Sequence, residues 1–563
     1  MTSRRISRKE FFGIGAGAAA GAALAGSGMA AFFSREAGAL TSFAPYRVAL
    51  PIPPKARPGL DGVYRISAGQ FRQALHPMLP AVKVWGYDDG KTRLYPGPTI
   101  EVQKGRSTTV RFTNNLPETH LLPVNDRLVG ERGSDPRILT HLHGGFVSGR
   151  SDGNPYATRN EFENGESQTV RYPPQPRATA LWYHDHALGM TRLNVYAGLA
   201  GYFLVRDQYD TGKEPNPIGI PGGDYEIPIV LQDKSFEDGQ LFYSPDETWI
   251  PEFFGETVVI NGAVQPFLEV EPRKYRLRFL NGSQSRFYHL ELAGGPPFHQ
   301  IGSDGGMFDG PVPLESILLV PAERADVIVD FSDFAGANLV LMNRQLPDGV
   351  VSPAMPNLPS LMQFRVRKDV TRRGPLKIPS ELPGELANVT GTVARRRYIT
   401  LEEVLDAEGM PIRLEINGRM FEDPVDEEPA AGTVEDWSFV NISADTHPMH
   451  MHLTNFRVMG RTPLDGPAYA AALEAARAGK AGAPKLRANN TIDPTPFLVG
   501  PEVPPRPNER GWKDTVGANP NQVTRIRQRF DLPPGVSTPQ RYVYHCHILE
   551  HEDNDMMRPF RVV

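Results

Sequence analysis

The sequence predicts an all-β protein made of three tandem β-sandwich domains. Three observations support this prediction: many turn-forming residues, short runs of alternating apolar and polar residues, and weak internal repetition. The chain has 563 residues, of which 54 are glycine and 54 are proline. A chain of this length usually forms several domains, and so much glycine and proline favours turns and short strands over long helices.

The first 39 residues have the features of a targeting segment. Two basic pairs, Arg4-Arg5 and Arg8-Lys9, precede a weakly apolar stretch at 13–33, and Ala37-Gly38-Ala39 suits a cleavage site. Paired arginines before such a stretch resemble a twin-arginine signal. We therefore expect residues 1–39 to engage the export machinery and the remainder to be periplasmic or extracellular. An uncleaved membrane anchor is the alternative, because the stretch is nearly long enough to span a bilayer.

Three short sequence patterns recur in the same order along the chain. The first is VRFTN at 110–114, LRFLN at 277–281 and WSFVN at 437–441; the second is VING at 259–262 and EING at 415–418; the third is YFLV at 202–205, QFRV at 363–366 and PFRV at 559–562. One such similarity could arise by chance between strand-rich segments. Three kinds in one order indicate a repeated domain of about 160 residues.

The repeats predict the domain boundaries. Domain 1 is assigned to 40–207, domain 2 to 208–366 and domain 3 to 397–563, with 367–396 as a linker that contains scattered proline and arginine. Runs at 108–112, 275–279 and 325–331 alternate apolar and polar residues and predict half-buried strands. The alanine-rich run 468–478 predicts one helix within a long insertion, and Pro467 suits its start.

Eight of the 14 histidines form four His-x-His pairs, which are His141/His143, His184/His186, His450/His452 and His545/His547. Residues two apart in a strand face the same side, so each pair presents two imidazoles to one place. A single pair is often just two surface residues. Four pairs beside strand-like runs predict a metal site.

The pairs are distributed unevenly among the repeats. Domains 1 and 3 each hold two pairs, whereas domain 2 has Leu290-Glu291-Leu292 where domain 3 has His450-Met451-His452. We therefore expect the eight imidazoles to meet in a cleft between domains 1 and 3, with domain 2 as a spacer. Eight neutral imidazoles are too many for one metal and suit two or three.

Cys546, the only cysteine, lies between His545 and His547. Strand alternation turns its sulfur away from their rings, so the sulfur must serve a different metal inside domain 3. His551 and Met556 follow it closely, and His447 precedes the His450/His452 pair. One cysteine, two histidines and one methionine form a blue-copper site. A core position is the alternative for Met556.

These residues and their neighbours resemble the four copper motifs of the multicopper oxidases. The motifs are HLHGG at 141–145, WYHDH at 182–186, HPMHMH at 447–452 and HCHILEHED at 545–553. DMMRP at 555–559 and GWKDT at 511–515 look most like the spore-coat laccase and bilirubin oxidase branch. The resemblance implies three cupredoxin-like Greek-key domains. It also implies an enzyme that takes single electrons from a reducing substrate and reduces dioxygen to water.

The resemblance further implies four copper ions and a role for each ligand. The blue copper would be held by His447, Cys546, His551 and Met556, the mononuclear normal copper by His141 and His450, and the binuclear pair by His143, His184, His186, His452, His545 and His547. Glu552 and Asp152 would act as catalytic acids in dioxygen reduction, the alternative being solvated surface acids. The remaining histidines, His76, His120, His289 and His299, are interpreted as structural or exposed.

The reducing substrate is not determined by the motifs. Phenols, aromatic amines or a bilin-like pigment fit the laccase branch. Ferrous or cuprous ions are the first alternative, although the insertion at 461–510 lacks the methionines that a metal-ion oxidase often carries. A non-catalytic copper-binding or scaffold protein is the second, but such relatives tend to lose ligands. The net charge of −5 argues against a nucleic-acid partner, and we expect a monomer that meets a small reducing molecule and dioxygen.

Overall fold

The computed structural model describes residues 43–563, apart from 125–127, 129, 131–135, 157–160, 245–248, 354, 372–373, 376 and 385–388. The predicted export signal lies outside the described residues. The described chain consists mainly of β-strands with a few short helices, so the predicted all-β fold is confirmed. Within the described ranges, no helix is long and apolar enough to cross a membrane.

Residues 63–206 form a first unit of two four-stranded sheets. Its strands are β1 (Val63–Gln73), β2 (Val82–Asp88), β3 (Ile100–Gln103), β4 (Thr108–Asn115), β5 (Thr140–His143), β6 (Ser167–Tyr172), β7 (Thr179–Asp185) and β8 (Ala200–Arg206), with the short helices α1 (Gly149–Asp152) and α2 (Thr191–Ala197). The sheet orders are β2-β1-β4-β6 and β3-β8-β7-β5. Inward-facing residues of both sheets, such as Ile66 and Leu181, form one apolar core, which is the packing of a β-sandwich.

Residues 226–366 form a second unit of two larger sheets. Its strands are β9 (Glu226–Glu237), β10 (Gln240–Phe242), β11 (Thr257–Ile260), β12 (Ala263–Val264), β13 (Phe267–Val270), β14 (Lys274–Asn281), β15 (Tyr288–Ala293), β16 (Phe298–Ser303), β17 (Gly306–Leu314), β18 (Ser316–Leu319), β19 (Arg324–Asp330), β20 (Asn338–Asn343) and β21 (Ser360–Val366). The orders are β12-β11-β9-β14-β19-β16-β17, with β10 on β9, and β13-β21-β20-β15-β18. Leu277, Leu290 and Phe364 belong to its core.

Residues 393–562 form the third unit. Its strands are β22 (Val393–Leu405), β23 (Pro411–Ile416), β24 (Val434–Asn441), β25 (His447–Met451), β26 (Phe456–Pro463), β27 (Thr515–Ala518), β28 (Gln522–Arg529), β29 (Gln540–Cys546) and β30 (Met557–Val562), with the helices α3 (Gly466–Arg477) and α4 (Leu549–Asp553). The orders are β23-β22-β24-β28-β26 and β27-β25-β29-β30. Short 3₁₀ turns lie at Gly223–Tyr225, Thr495–Phe497 and Pro507–Glu509.

Helix α3 confirms the predicted helix in the insertion of the third unit. The Asp465 side chain caps it by accepting a hydrogen bond from the Ala468 amide at 3.1 Å, and Pro467 occupies its first turn. Both features favour helix initiation at this point. Tyr469 and Leu473 are buried on one side of the helix, so packing against the sandwich holds the helix in place.

The recurring sequence patterns occupy equivalent positions in the three units. Strands β4, β14 and β24 carry the first pattern, and each pairs in parallel with the first strand of its unit. The buried Asn114, Asn281 and Asn441 each accept a hydrogen bond from the amide two residues ahead, at 3.0, 3.0 and 2.9 Å. Asparagine recurs there because its side chain closes the same turn after the strand.

The predicted linker is shorter than expected. It was assigned to 367–396, but β22 already begins at Val393. Arg395 and Arg396, which were assigned to the linker, belong to this strand and lie opposite residues of β24. Both are exposed, so this part of the strand lacks the buried apolar residues that a strand pattern would show.

The prediction of half-buried strands is wrong for β19, which is buried except at Asp330, and for β14, all of which is buried. Its polar side carries Arg276 and Arg278, which form ion pairs with Asp210 and Asp326 at 2.6–2.9 Å. Alternation in a sequence shows that one face is polar. It does not show whether that face meets water or buried partners of opposite charge.

Candidate metal centres

The strand register places the four His-x-His pairs side by side. In the first unit His141 on β5 lies opposite His184 on β7, and in the third unit His450 on β25 lies opposite His545 on β29. In the other three pairs the second histidine, which is His186, His452 or His547, directly follows the last residue of the strand. Each of the two units therefore presents four imidazoles at one place.

The imidazoles of the first and third units meet each other. The rings of His143 and His450 stack with their centroids 3.7 Å apart, and those of His141 and His452 with centroids 4.0 Å apart. All eight imidazoles are buried. The eight histidines that the sequence placed in one cleft thus lie together between the two units.

Three of these imidazoles converge on one point. The Nε2 atoms of His186 and His452 are 3.3 Å apart, and those of His452 and His545 are 3.2 Å apart. The Nδ1–H groups of His452 and His545 donate to Asp152 Oδ2 and to the Cys546 carbonyl. A neutral ring with a proton on Nδ1 keeps a lone pair on Nε2. The Nε2 lone pairs of these rings therefore face and repel each other. A cation bound between them would remove this repulsion.

The other five imidazoles also hold nitrogens without a partner. His141, His184 and His450 donate through Nδ1 to backbone carbonyls at 2.6–2.8 Å, which leaves each Nε2 unpartnered. His143 has the opposite arrangement, with Nδ1 unpartnered, and neither ring nitrogen of His547 has a partner. Buried polar atoms without partners are rare. Their concentration in one cleft fits a set of metal ligands.

Burial keeps these rings neutral, as metal ligation requires. It lowers the pKa of His184 to about 3 and places the pKa of His141, His143 and His450 well below the ordinary value for histidine. The cause is desolvation, which disfavours the imidazolium. Neutral imidazoles suit copper among the divalent metals.

The single cysteine belongs to a second centre on the other side of β29. Cys546 Sγ lies 3.6 Å from Nδ1 of His447 and 3.5 Å from Nδ1 of His551. The distal Nε2 atoms of these rings donate to Ser443 Oγ at 2.6 Å and to Glu252 Oε1 at 2.8 Å. The distal hydrogen bonds orient both proximal nitrogens toward the sulfur, which is the in-plane donor set of a blue-copper site.

Met556 is buried beside this centre. Its amide donates to the His551 carbonyl at 2.9 Å, and its carbonyl accepts from the Cys546 amide at 3.0 Å. The backbone of the predicted axial methionine is therefore hydrogen-bonded to both Cys546 and His551. The neighbouring Met557 pairs with His545 on β29 and is equally buried.

Both predicted catalytic acids are buried at the histidine cluster, which does not fit the alternative of solvated surface acids. The two oxygens of Glu552 lie 3.1 Å from Nδ1 of His186 and 3.1 Å from Nδ1 of His545. Asp152 accepts from Nδ1 of His452 through Oδ2 at 2.6 Å. Each carboxylate touches the cluster at a nitrogen that faces away from the point of convergence.

Helix α4 carries further contacts, through Glu550 and Asp553, that the sequence did not reveal. Glu550 accepts from Tyr243, Gln284 and Ser285 of the second unit at 2.6–2.9 Å. Asp553 accepts from the first amides of α2 in the first unit at 2.9 and 3.2 Å. The helix that bears His551 and Glu552 is thus anchored to both other units.

Other second-unit and loop residues were also missed. Glu252 and Arg324 belong to the unit without histidine pairs, and Asp514 lies in the GWKDT motif, which suggested a family but no role. Of the remaining histidines, His76 and His120 are buried and hydrogen-bonded, whereas His289 and His299 are partly exposed. None of these four belongs to the two centres.

Comparison with known proteins agrees with this geometry. Family models described as multicopper oxidase match residues 133–210 and 397–563. A laccase of Bacillus subtilis is 38% identical over 91% of this chain and 98% of its own length, and a laccase of Haloferax volcanii is 36% identical over 91% and 84%. The McoA multicopper oxidase of Aquifex aeolicus has a similar structure, with a TM-score of 0.72, 28% identity and coverage of 92% and 99%.

Proposed function

Because this chain belongs to the multicopper oxidase family, we propose that it is a laccase-like enzyme with separate sites for its two half-reactions. It is an oxidoreductase that uses dioxygen and binds copper. In the proposed reaction a reducing substrate gives up single electrons near Cys546. Four such electrons and four protons then reduce one dioxygen to two water molecules at the histidine cluster. Copper supplies the one-electron chemistry at both sites.

The position of Cys546 is the observation that supports this proposal best. Its sulfur forms a triangle with the Nδ1 atoms of His447 and His551, at 3.6 and 3.5 Å, while its chain neighbours His545 and His547 point into the cluster. An electron that enters at the sulfur therefore reaches the cluster through a few covalent bonds. A non-catalytic copper store would have no need of this connection.

The chain also supplies groups that can hold and pass protons. Glu552 touches Nδ1 of both His186 and His545, and its two oxygens have no other partner. Asp152 contacts His452 and is held by Asn154 at 2.7 Å. We propose that Glu552 delivers protons for dioxygen reduction and that Asp152 chiefly orients His452.

The proposed donor class is an organic one: phenols, aromatic amines or bilin-like pigments. The motif resemblance to the laccase branch and the relatives named laccases support it. Such donors lose one electron at a time and need only approach the His551 side of the cysteine centre.

A second donor class, the ferrous ion, is favoured by three carboxylates at this place. Glu403 and Asp445 are partly exposed and lie close enough to the buried Glu252 to repel it.

A divalent cation would remove that repulsion and would sit next to the ligand His551. Oxygen ligands suit a ferrous ion better than a cuprous ion, which prefers sulfur. The absence of methionine, a sulfur ligand, from 461–510 also favours the ferrous ion over the cuprous ion. Ferrous oxidation is therefore the stronger of the two metal-ion alternatives.

The test is dioxygen consumption by the copper-loaded protein with a methoxyphenol, bilirubin, ferrous iron and cuprous copper as separate donors. We expect turnover with an organic donor and the release of water without hydrogen peroxide. Turnover with ferrous iron alone would favour the second donor class. No dioxygen consumption with any donor would contradict the oxidase proposal.

A further inference from the structure

We propose that Asp514 is a positioning residue that sets the orientation of His143 and His450, and that Arg324 of the second unit holds Asp514 in place. This inference rests on the proposed copper ligation and deepens it. It gives the unit without histidine pairs a direct part in shaping the cluster, where the sequence suggested only a spacer.

Asp514 contacts one histidine from each side of the cluster. Its Oδ1 accepts from Nε2 of His143 at 3.1 Å, and its backbone carbonyl accepts from Nδ1 of His450 at 2.8 Å. The first bond leaves Nδ1 of His143 free to bind a metal, and the second leaves Nε2 of His450 free. One residue therefore selects the tautomers of two stacked rings that belong to different units.

Arg324 fixes the Asp514 carboxylate in a two-point contact. Its two terminal nitrogens donate to Oδ1 at 2.7 Å and to Oδ2 at 2.5 Å. Its remaining N–H groups donate to the carbonyls of Ala180, Ala322 and Asp304 at 3.0–3.1 Å. All five donors of the guanidinium are used, so its plane has one orientation, which a lysine could not reproduce.

The surrounding chain is shaped to admit this pair. Gly144 follows His143 with φ of +78°, and a Cβ atom there would lie 2.3 Å from Asp514 Oδ2 and 3.0 Å from the Arg324 guanidinium. Lys513 pairs with Asp304 at 2.8 Å and with Glu323 at 2.9 Å, which balances the charge of the loop. The first glycine of HLHGG thus leaves room for the Asp514–Arg324 pair, and the lysine of GWKDT neutralises acidic groups beside it.

A hydrogen bond to the distal nitrogen of a ligating imidazole fixes the ring and its tautomer, and its loss typically weakens metal binding 10- to 100-fold. Asp514 makes two such bonds, one through its side chain. A neutral amide at this position would turn an N–H group toward Arg324 or His143, both of which are donors here.

The test compares Asp514→Asn with Glu509→Gln. Glu509 forms a similar buried two-point contact with Arg461, at 2.5 and 2.8 Å, but touches no histidine. We expect Asp514→Asn to keep the blue absorption of the cysteine centre and to lose cluster copper to a chelator about 10- to 100-fold more readily. The EPR signal of its mononuclear normal copper should change. The kcat should fall without a change in KM for the donor.

The control should keep its cluster copper and its EPR signal. If Asp514→Asn matches the control in both, the proposed role is wrong. If Asp514→Asn does not fold, Arg324→Lys is measured in the same way, and retention of cluster copper and EPR signal by that variant overturns the proposal. Absence of cluster copper from the parent protein would instead contradict the proposed function.

Discussion

Glu252 of the second unit accepts a hydrogen bond from Nε2 of His551 at 2.8 Å, and the two side chains are 3% and 0% exposed. The carboxyl group therefore covers the Nε2 edge of the imidazole. When it is ionised, this carboxylate also makes the His551 imidazole more basic, which favours the oxidised metal.

Glu252→Gln should raise the reduction potential of the blue copper. Burial raises the pKa of Glu252 to about 8, so the rise is expected above that pH, where a charged acceptor is replaced by a neutral one and the difference of about 1 kcal/mol corresponds to a rise on the order of 50 mV. Ferrous oxidation should fall more than phenol oxidation. Redox titration and donor assays check both, with Glu509→Gln as the control, since Glu509 is an equally buried carboxylate that pairs with Arg461 and is not among the three carboxylates beside His551. Unchanged potential and unchanged donor preference would contradict this role of Glu252.

Cys546→Ser should abolish the blue colour and the oxidase activity. No other cysteine exists in the chain, so no second thiolate could give the charge-transfer band. The eight imidazoles remain in place, and cluster copper should stay bound. Visible absorption and copper content test this, and a variant that keeps the intense band would show that Cys546 is not the ligand.

Met556→Leu should keep the blue colour, because an axial thioether tunes the potential more than it holds the metal. We expect a higher potential and faster loss of copper from this centre. The matched control is Met557→Leu, an equally buried methionine one residue away, which should leave the potential unchanged. Equal potentials in the two variants would show that Met556 only packs in the core and is not a copper ligand.

Glu552→Leu should retain its copper and blue colour, accept electrons from the donor, and lose most turnover at the dioxygen step. The reason is that Glu552 bridges His186 and His545 at 3.1 Å and supplies the nearest free carboxylate oxygens. Stopped-flow reoxidation of the reduced protein measures the step directly. Reoxidation at the parent rate across pH would transfer the proton role to Asp152 or to water.

Lys234→Met should stabilise the protein more at pH 7 than at pH 10. Burial lowers the pKa of Lys234 to about 7 from an ordinary value of 10.5. Between these values the unfolded chain binds a proton that the folded chain lacks, so this lysine makes stability rise with pH by up to about 1.4 kcal/mol per unit. Urea unfolding of parent and variant at both pH values tests this; an equal difference at the two values would show that the lysine titrates normally.

The main features of both centres could be predicted from the sequence because they depend on local periodicity. Alternation along a strand places both rings of a His-x-His pair on one side and turns the sulfur of Cys546 to the other, whatever the rest of the fold. The three recurring patterns likewise predicted equivalent strands, and the asparagine at the end of each one closes the same turn.

Burial of polar residues could not be predicted in this way. Arg276 and Arg278 on β14 give an alternating pattern, yet they are buried because Asp210, in the loop after β8, and Asp326 on β19 pair with them. A local pattern records polarity, whereas burial depends on partners distant in the chain.

The sequence by itself therefore determined which histidine and cysteine side chains gather at each centre, because each strand carries them at a fixed period. Only the tertiary structure decided which carboxylates and cations hold those side chains in place. Glu252 lies 299 residues from His551, and Arg324 lies 190 residues from Asp514. Hydrogen bonds between such distant residues have no signature in local spacing, and they form only when the three sandwiches pack together.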